Sequence, residues 1–311
     1  MSLKSVSCVI SSVKKFYYFK KMKLTLFFIC LLTSTALFAQ NNNNDYKIYD
    51  VKRQKIISVD HIISDMDKSD ILFYGENHND SIAHYLEAEL FRKLNEKYPR
   101  RTALSLEMFH TDVQPIVDEY LADLISEKNF IKEGRAWPNY NDYRPLMEYA
   151  KQNKIVVIGS NAATRYSNAV TKAGLGILEA FPKTSLAFLP PLPIDTATGK
   201  YNERFLETMG GHGTGSMKIY QTQNLWDATM AWSIANFTKK NNNFKVLHLN
   251  GRFHSDEKLG TIAKLLRYEP KLNILNISSF SDESFDDPDW NKFENLADYI
   301  IITNPKAKRN F

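Results

Sequence analysis

The sequence predicts an α/β fold: a mainly parallel sheet flanked by helices, with a small helical subdomain or cap. Three observations predict it. Short runs rich in β-branched and aromatic residues alternate with amphipathic helical stretches along most of the chain. The runs are continuously apolar, as in strands covered on both faces, and do not alternate in-out as half-solvated strands do. One stretch, about 161–243, breaks the alternation with helical segments, the connector Pro190-Pro191-Leu192-Pro193 and a glycine-rich loop.

The elements follow in order. Ile71-Leu72-Phe73-Tyr74 reads as a buried strand. After it Ile82, Tyr85, Leu86, Leu90 and Leu94 recur at helical spacing, with Asp80 or Asn79 placed to cap the helix N-terminus. Thr102–Leu106 is the next strand, and Val113, Ile116, Val117, Tyr120, Leu121 and Leu124 form the next helical face. A helix from about Tyr143 to Asn153 leads into the strand Ile155–Ile158. Phe244–Leu249, Leu272–Ile277 and Asp298–Thr303 are the remaining strands. Within the insertion, Gly210-Gly211-His212-Gly213-Thr214-Gly215 gathers four of the chain's 12 glycines, and backbone so permissive predicts a mobile segment. It lacks the lysine of a phosphate-binding loop, which argues against a nucleotide there.

The front of the chain reads differently. Residues 1–39 carry six lysines, no acid, and an apolar run of about 15 residues ending Ala36-Leu37-Phe38-Ala39, which predicts a secretory leader. Met22-Lys23 followed by the same run is a complete leader by itself. The run falls short of the ~20 residues a spanning helix needs. Residues 40–54, opening on Asn41–Asn44, read as an N-terminal tether, and 55–311 as the folded domain. The full chain has 311 residues and a formal charge of +5, with 40 Lys and Arg against 35 Asp and Glu. Without the leader, 34 basic residues face 35 acidic ones, a net charge of −1. That removes the electrostatic case for nucleic acid. Both cysteines, Cys8 and Cys30, lie in the leader, so disulfide, thiolate-metal and cysteine-nucleophile chemistry are excluded from an exported mature chain.

Chemistry is then sought where parallel sheets bind ligands, beyond the carboxyl ends of the strands. Four strands in a row are followed by polar groups: Gly75-Glu76-Asn77-His78, Glu107-Met108-Phe109-His110, Gly159-Ser160-Asn161 and Asn250-Gly251-Arg252-Phe253-His254. Two of them share the spacing Gly-x-x-His. His78 and His254 with Glu76 and Glu107 form a set that suits zinc, iron or manganese, and in a hydrolase the metal would activate water with a Glu as base. Equally, the two Glu residues cap helices and the His residues bond carbonyls. His84, one helical face away, reads as a packed or surface residue, His61 and His248 as structural, and His110 is ambiguous. His212 is a candidate lid ligand. Asp227, with Gln223, Trp226 and Met230 on a helix after the glycine-rich loop, either points into the cleft or is solvated.

These segments, together with Leu104–Phe109, the Gly159–Asn161 turn and Asp227–Ala231, resemble the ChaN-like haem-binding uptake proteins. That family belongs to a superfamily that includes Tiki-type proteases and resembles erythromycin esterases. The resemblance spans about residues 55–280. It implies an α/β core with a small helical subdomain, in an exported, periplasmic or envelope protein of haem or iron acquisition. It also implies haem held between two protomers, which allows a homodimer, and an envelope transport partner. The Tiki branch implies instead a metal-dependent hydrolase, with Glu76 and Glu107 catalytic beside His78, His254 and Asn161. Cofactor-binding expectations fall on His78, His254, Asn161, His212, Tyr143 and Asp227, and metal-binding ones on His78, His254, Glu107 and Glu76. Tyrosine ligation of haem is associated with the family, and Tyr74, Tyr140, Tyr143, Tyr166 and Tyr220 all lie near cleft-forming segments. Family members are often lipoproteins, but Cys30 follows Phe28-Ile29 inside the apolar run, which is no lipidation signal.

Overall fold

A computed structural model describes residues 45–210 and 216–307. The expected leader and His212 in its loop lie outside the described residues. Eight strands form one sheet: β1 (Tyr46–Asp50), β2 (Lys55–Ile57), β3 (Ile71–Glu76), β4 (Thr102–His110), β5 (Val156–Asn161), β6 (Lys245–Gly251), β7 (Ile274–Ser281) and β8 (Tyr299–Thr303), in the order β2-β1-β8-β7-β3-β6-β4-β5. Strands β3 to β8 run parallel, and β1 and β2 join antiparallel at one edge. No helix among the described residues is long and apolar enough to cross a membrane.

The tether expected over 40–54 is corrected in part. Tyr46–Asp50 is β1, paired residue for residue with β8, and Ile48 is buried in the core. The segment is short and mixes Lys and Asp with its apolar residues, so no strand pattern announced it; the backbone ladder and one buried isoleucine hold it. The short edge strand β2 was likewise not predicted, and β3 to β8 match the predicted runs. Five of these extend beyond their predicted ends, so that Gly75-Glu76, Glu107–His110, Gly159–Asn161, Asn250-Gly251 and Ser278–Ser281 are the last residues of strands.

Helices cover both faces. On one lie α1 (Val59–Asp65), α2 (Ser81–Lys97), α3 (Gln114–Leu121), α4 (Glu127–Glu133) and α5 (Tyr140–Asn153). Leu86, Leu90 and Leu94 of α2 and Leu146 and Met147 of α5 pack there with Leu72, Tyr74, Leu104 and Leu106 of the sheet. The strand residues of opposite parity, Ile71, Phe73, Ala103 and Val246, meet Ala231, Ile234 and Ala235 of α9 (Ser216–Lys240) and Ile262 and Leu265 of α10 (Thr261–Tyr268) on the other face. Asp80 starts α2, its carboxylate accepting from the Ile82 and Ala83 amides. Between β5 and β6 lie α6 (Thr164–Ala173), α7 (Lys183–Leu186), α8 (Lys200–Thr208) and α9, and a small core gathers there around Tyr166, Val170, Leu178 and Leu225.

Candidate functional site

Strand β6 lies between β3 and β4, so the two Gly-x-x-His turns become neighbours at the carboxyl edge of the sheet. Each glycine makes room for the other turn. A Cβ on Gly75 would lie 2.7 Å from Ser255 Oγ and 2.9 Å from the Arg252 Cα. A Cβ on Gly251 would lie 2.7 Å from His78 Nε2.

The period of two along a strand then separates the carboxylates. Glu76 has the parity of Leu72 and Tyr74 and joins the α2/α5 side, where it is buried. Its Oε1 accepts from His78 Nδ1 at 2.9 Å and from the Tyr143 hydroxyl at 2.7 Å. Burial pushes its pKa up, but His78 and His84 outweigh that and hold it well below the usual carboxylate range. Glu107 has the opposite parity. Its Oε2 accepts from the Gly251 amide at 2.7 Å, and its Oε1 lies 3.5 Å from His254 Nε2.

His254 Nδ1 donates to Asp227 Oδ1 at 2.7 Å. Asp227 also accepts from Thr261 Oγ1 at 2.9 Å and, on its other oxygen, from the Tyr201 hydroxyl at 2.6 Å. Gln223, one turn before Asp227 on α9, has its Nε2 3.1 Å from His254 Nδ1. Burial works against the imidazolium, but Glu107 and Asp227 raise the His254 pKa to about 10. Glu107 is lowered to about 2, burial being overcome by His254 and His78.

Above this floor opens a cleft of about 680 Å³, within the range of ligand pockets. Trp137, Pro138, Phe205 and Phe253 line it together with Glu76, His78, Gln223, Arg252 and His254. The His78 side chain is 39% exposed and sets its ring edge-on to Trp137. Burial opposes protonation of His78, but Glu76 and Glu107 raise its pKa overall. Because a carboxylate only accepts, Nδ1 carries the proton and Nε2 is the nitrogen left to a ligand.

The sequence-predicted residues divide accordingly. Glu76, His78, Glu107, His254 and Asp227 are brought together around the cleft floor, with Tyr143 beneath, supporting Glu76. Asn161 is buried at the end of edge strand β5, where its side chain accepts from the Ala162 amide, and it does not line the cleft. The four-residue metal set does not converge on one point, since Glu76 and Glu107 lie on opposite faces of the sheet. Among the described residues the side chains that converge within 4.8 Å are Glu76, His84 and Glu87. His84, expected to be a packed or surface residue, is buried with Nε2 3.0 Å from Glu76 Oε2. Glu87 was missed altogether; its i, i+3 spacing from His84 on the helix after the motif is the signal that points to it. None of the five candidate tyrosines lines the cleft. Tyr74, Tyr140, Tyr166 and Tyr220 donate to Ser279, Glu127 and the carbonyls of Ser185 and Ala197. His248 is structural as expected, bonded to Ser105 inside the sheet, and His61 completes the cap of α1 with Ser58.

Among solved structures, ChaN of Campylobacter jejuni, described with cofacial heme binding, matches with a TM-score of 0.64 and 18% identity. The match covers 84% of this chain and 98% of that one, and it shows the fold. The type III effector HopBA1 and the erythromycin esterase EreC each match at a TM-score of 0.45, with 12% and 10% identity. They cover 79% and 84% of this chain and 93% and 83% of their own lengths. No protein with a curated description matches the chain. Residues 62–265, well over half of the chain, match the family described as haem-binding uptake, Tiki superfamily, ChaN, and the chain belongs to that family.

Proposed function

We propose that the protein binds haem in this cleft, with His78 Nε2 as the iron ligand. The observation that carries the reading is a half-exposed imidazole, oriented by a buried carboxylate, in a cleft walled by aromatic and proline side chains. A haem needs apolar walls for its macrocycle, a donor for its iron and a cation for its propionates. Trp137, Phe205 and Phe253 supply the first, His78 the second and Arg252 the third. When bound, the haem supplies a redox-active iron. The protein's residues do the rest: Glu76 fixes the His78 tautomer, and Tyr143 holds Glu76.

Export to the periplasm or envelope, a role in iron acquisition, a homodimer and an envelope transport partner belong to the same reading. Leu206, Met209, Met217 and Ile219, all more than a third exposed on or beside α8 and the start of α9, supply apolar surface that a second copy would cover. The test is a hemin titration of the mature chain. Wild type gives a saturable Soret shift at micromolar hemin, and His78→Ala loses it while keeping its melting temperature. No saturable shift in wild type overturns the reading.

A second reading is hydrolysis in the same cleft by Glu76, Glu107, His78 and His254. The Asp227–His254–Glu107 chain favours it, because haem binding does not require a buried relay of that kind. Protein purified without chelator that carries no transition metal, and His254→Ala with unchanged properties, would together count against it.

A further inference from the structure

We infer that a divalent cation of the zinc, iron or manganese class binds behind the cleft floor, between Glu76 of β3 and His84 and Glu87 of α2. This site is distinct from the haem cleft and goes beyond the haem reading. All three side chains are at least 95% buried. Five of their buried polar atoms, Glu76 Oε2, His84 Nδ1 and Nε2, and both Glu87 oxygens, make no hydrogen bond of good geometry among the described residues. His84 Nε2 lies 3.0 Å from Glu76 Oε2 without hydrogen-bond geometry, and one ligand atom from each residue falls within 4.8 Å of the others. With bonds of about 2.0–2.2 Å to an ion, adjacent ligand atoms stand about 3 Å apart, so this pair already has the spacing of two donors to one metal.

The chemistry of the set points the same way. Two carboxylates enclosed at this distance cannot both stay ionised without a counter-charge. A shared proton would satisfy one oxygen of each carboxylate, with His84 Nε2 beside Glu76 Oε2, and would still leave His84 Nδ1 and the second Glu87 oxygen without a hydrogen bond. A divalent ion answers the two carboxylates and Nε2 together. One nitrogen and two oxygens, with no thiolate, suit zinc, iron(II) or manganese over copper(I) or calcium. Asp142 Oδ2 stands 3.9 Å from His84 Nδ1, on the side where a metal-bound imidazole is commonly steadied by a carboxylate.

The test strips the full chain with chelator, then titrates it calorimetrically with Zn²⁺ and Mn²⁺ and counts bound metal by elemental analysis. The expected result is one ion per chain, with affinity reduced at least tenfold in Glu87→Gln and His84→Gln and unchanged in Glu107→Gln and His254→Gln. Cobalt(II) added to wild type should give visible absorption bands that zinc displaces, a readout that needs no variant to fold. Wild type that takes up no ion, with no cobalt bands, overturns the inference and leaves the shared proton as the account of Glu87. An ion whose affinity falls in Glu107→Gln or His254→Gln but not in Glu87→Gln also overturns it, placing the metal in the cleft. Hemin binding is recorded in the same samples, so failure of the haem reading is seen separately from failure of the metal site.

Discussion

The two motif glycines offer a pair of substitutions whose costs the structure separates. Both positions are crowded, yet by different kinds of neighbour. At Gly75 a new Cβ meets Ser255 Oγ at 2.7 Å and the Arg252 Cα at 2.9 Å. The Cα belongs to the backbone of the partner turn, which is pinned by the Gly251 amide on Glu107 and by Asn250 and Asn276 bonding around Ser255. It cannot yield, so Gly75→Ala should cost the ~1–3 kcal/mol typical of overpacking. At about 2–4 °C per kcal/mol for a chain of this size, the melting temperature falls by roughly 2–12 °C. At Gly251 the three nearest atoms to the Cβ all belong to the His78 ring, at 2.7, 3.3 and 3.6 Å. The backbone there has φ −57° and ψ 131°, open to alanine. The ring is partly exposed and free to swing into the cleft, so the melting temperature should hold within ~2 °C, the effect of less than 1 kcal/mol. The swing breaks the Glu76 bond that orients His78, and a lost charge-assisted hydrogen bond of about 1.5–3 kcal/mol corresponds to a roughly tenfold or greater loss of hemin affinity. Circular-dichroism melts and hemin titrations on both variants are the assay. If Gly251→Ala were the less stable of the two, or bound hemin like wild type, the packing argument for the paired motifs would be refuted.

Further tests probe the rest of the site. Asp227→Asn leaves a buried imidazolium with Glu107 alone, and breaking a buried pair costs about 3–5 kcal/mol. Because the folded His254 pKa is raised to about 10, that contribution is complete below the unfolded value near 6.5 and lost as pH rises through 10. The gap between wild type and variant by thermal melts should therefore shrink from pH 6 to pH 10; a gap that widens contradicts the assignment. Glu107 titrates in the opposite sense: lowered to about 2, it contributes fully above 4.5, and wild-type stability conferred by it should fade as pH drops toward 2. Asp80→Ala removes the two N-cap bonds of α2 and the bond from Thr303, and should cost at least the ~0.5–2 kcal/mol of a lost cap by urea denaturation. Trp137→Ala strips one apolar wall and should weaken hemin binding while leaving the His78–Glu76 contact intact, as read by the Soret maximum at saturation.

The fold was legible because its signals are local. Short, continuously apolar runs rich in β-branched and aromatic residues, such as Ile71–Tyr74, read as strands covered on both faces, and Asp80 announces the start of α2. The first strand was not legible, since Tyr46–Asp50 is held by a ladder to β8 some 250 residues away. The site was legible to the level of which residues gather at the sheet edge, because the Gly-x-x-His spacing repeats. Their grouping was not, although the parity that decides it is written in the sequence. Counted from the apolar runs, Glu76 falls in phase with Leu72 and Glu107 out of phase with Leu104, and so they face different helices. What could not be read is which helix arrives on each face. That places His84 and Glu87 behind Glu76, and Asp227 and Tyr201 behind His254.

This division makes Glu76 the link between the two sites. Its Oε1 accepts from His78 and Tyr143, while its Oε2 faces His84. A cation drawing on Oε2 withdraws charge from the carboxylate and weakens its hold on the His78 Nδ1 proton. The His78 ring then becomes a poorer electron donor at Nε2, the atom assigned to iron. Loading the buried site should therefore change the hemin affinity by a modest factor, and by linkage hemin should change the metal affinity by the same factor. Titrating hemin into chelated and zinc-loaded protein measures it, and Glu87→Gln should abolish the difference. Equal affinities in the two wild-type samples would mean that Glu76 holds His78 independently of what lies behind it.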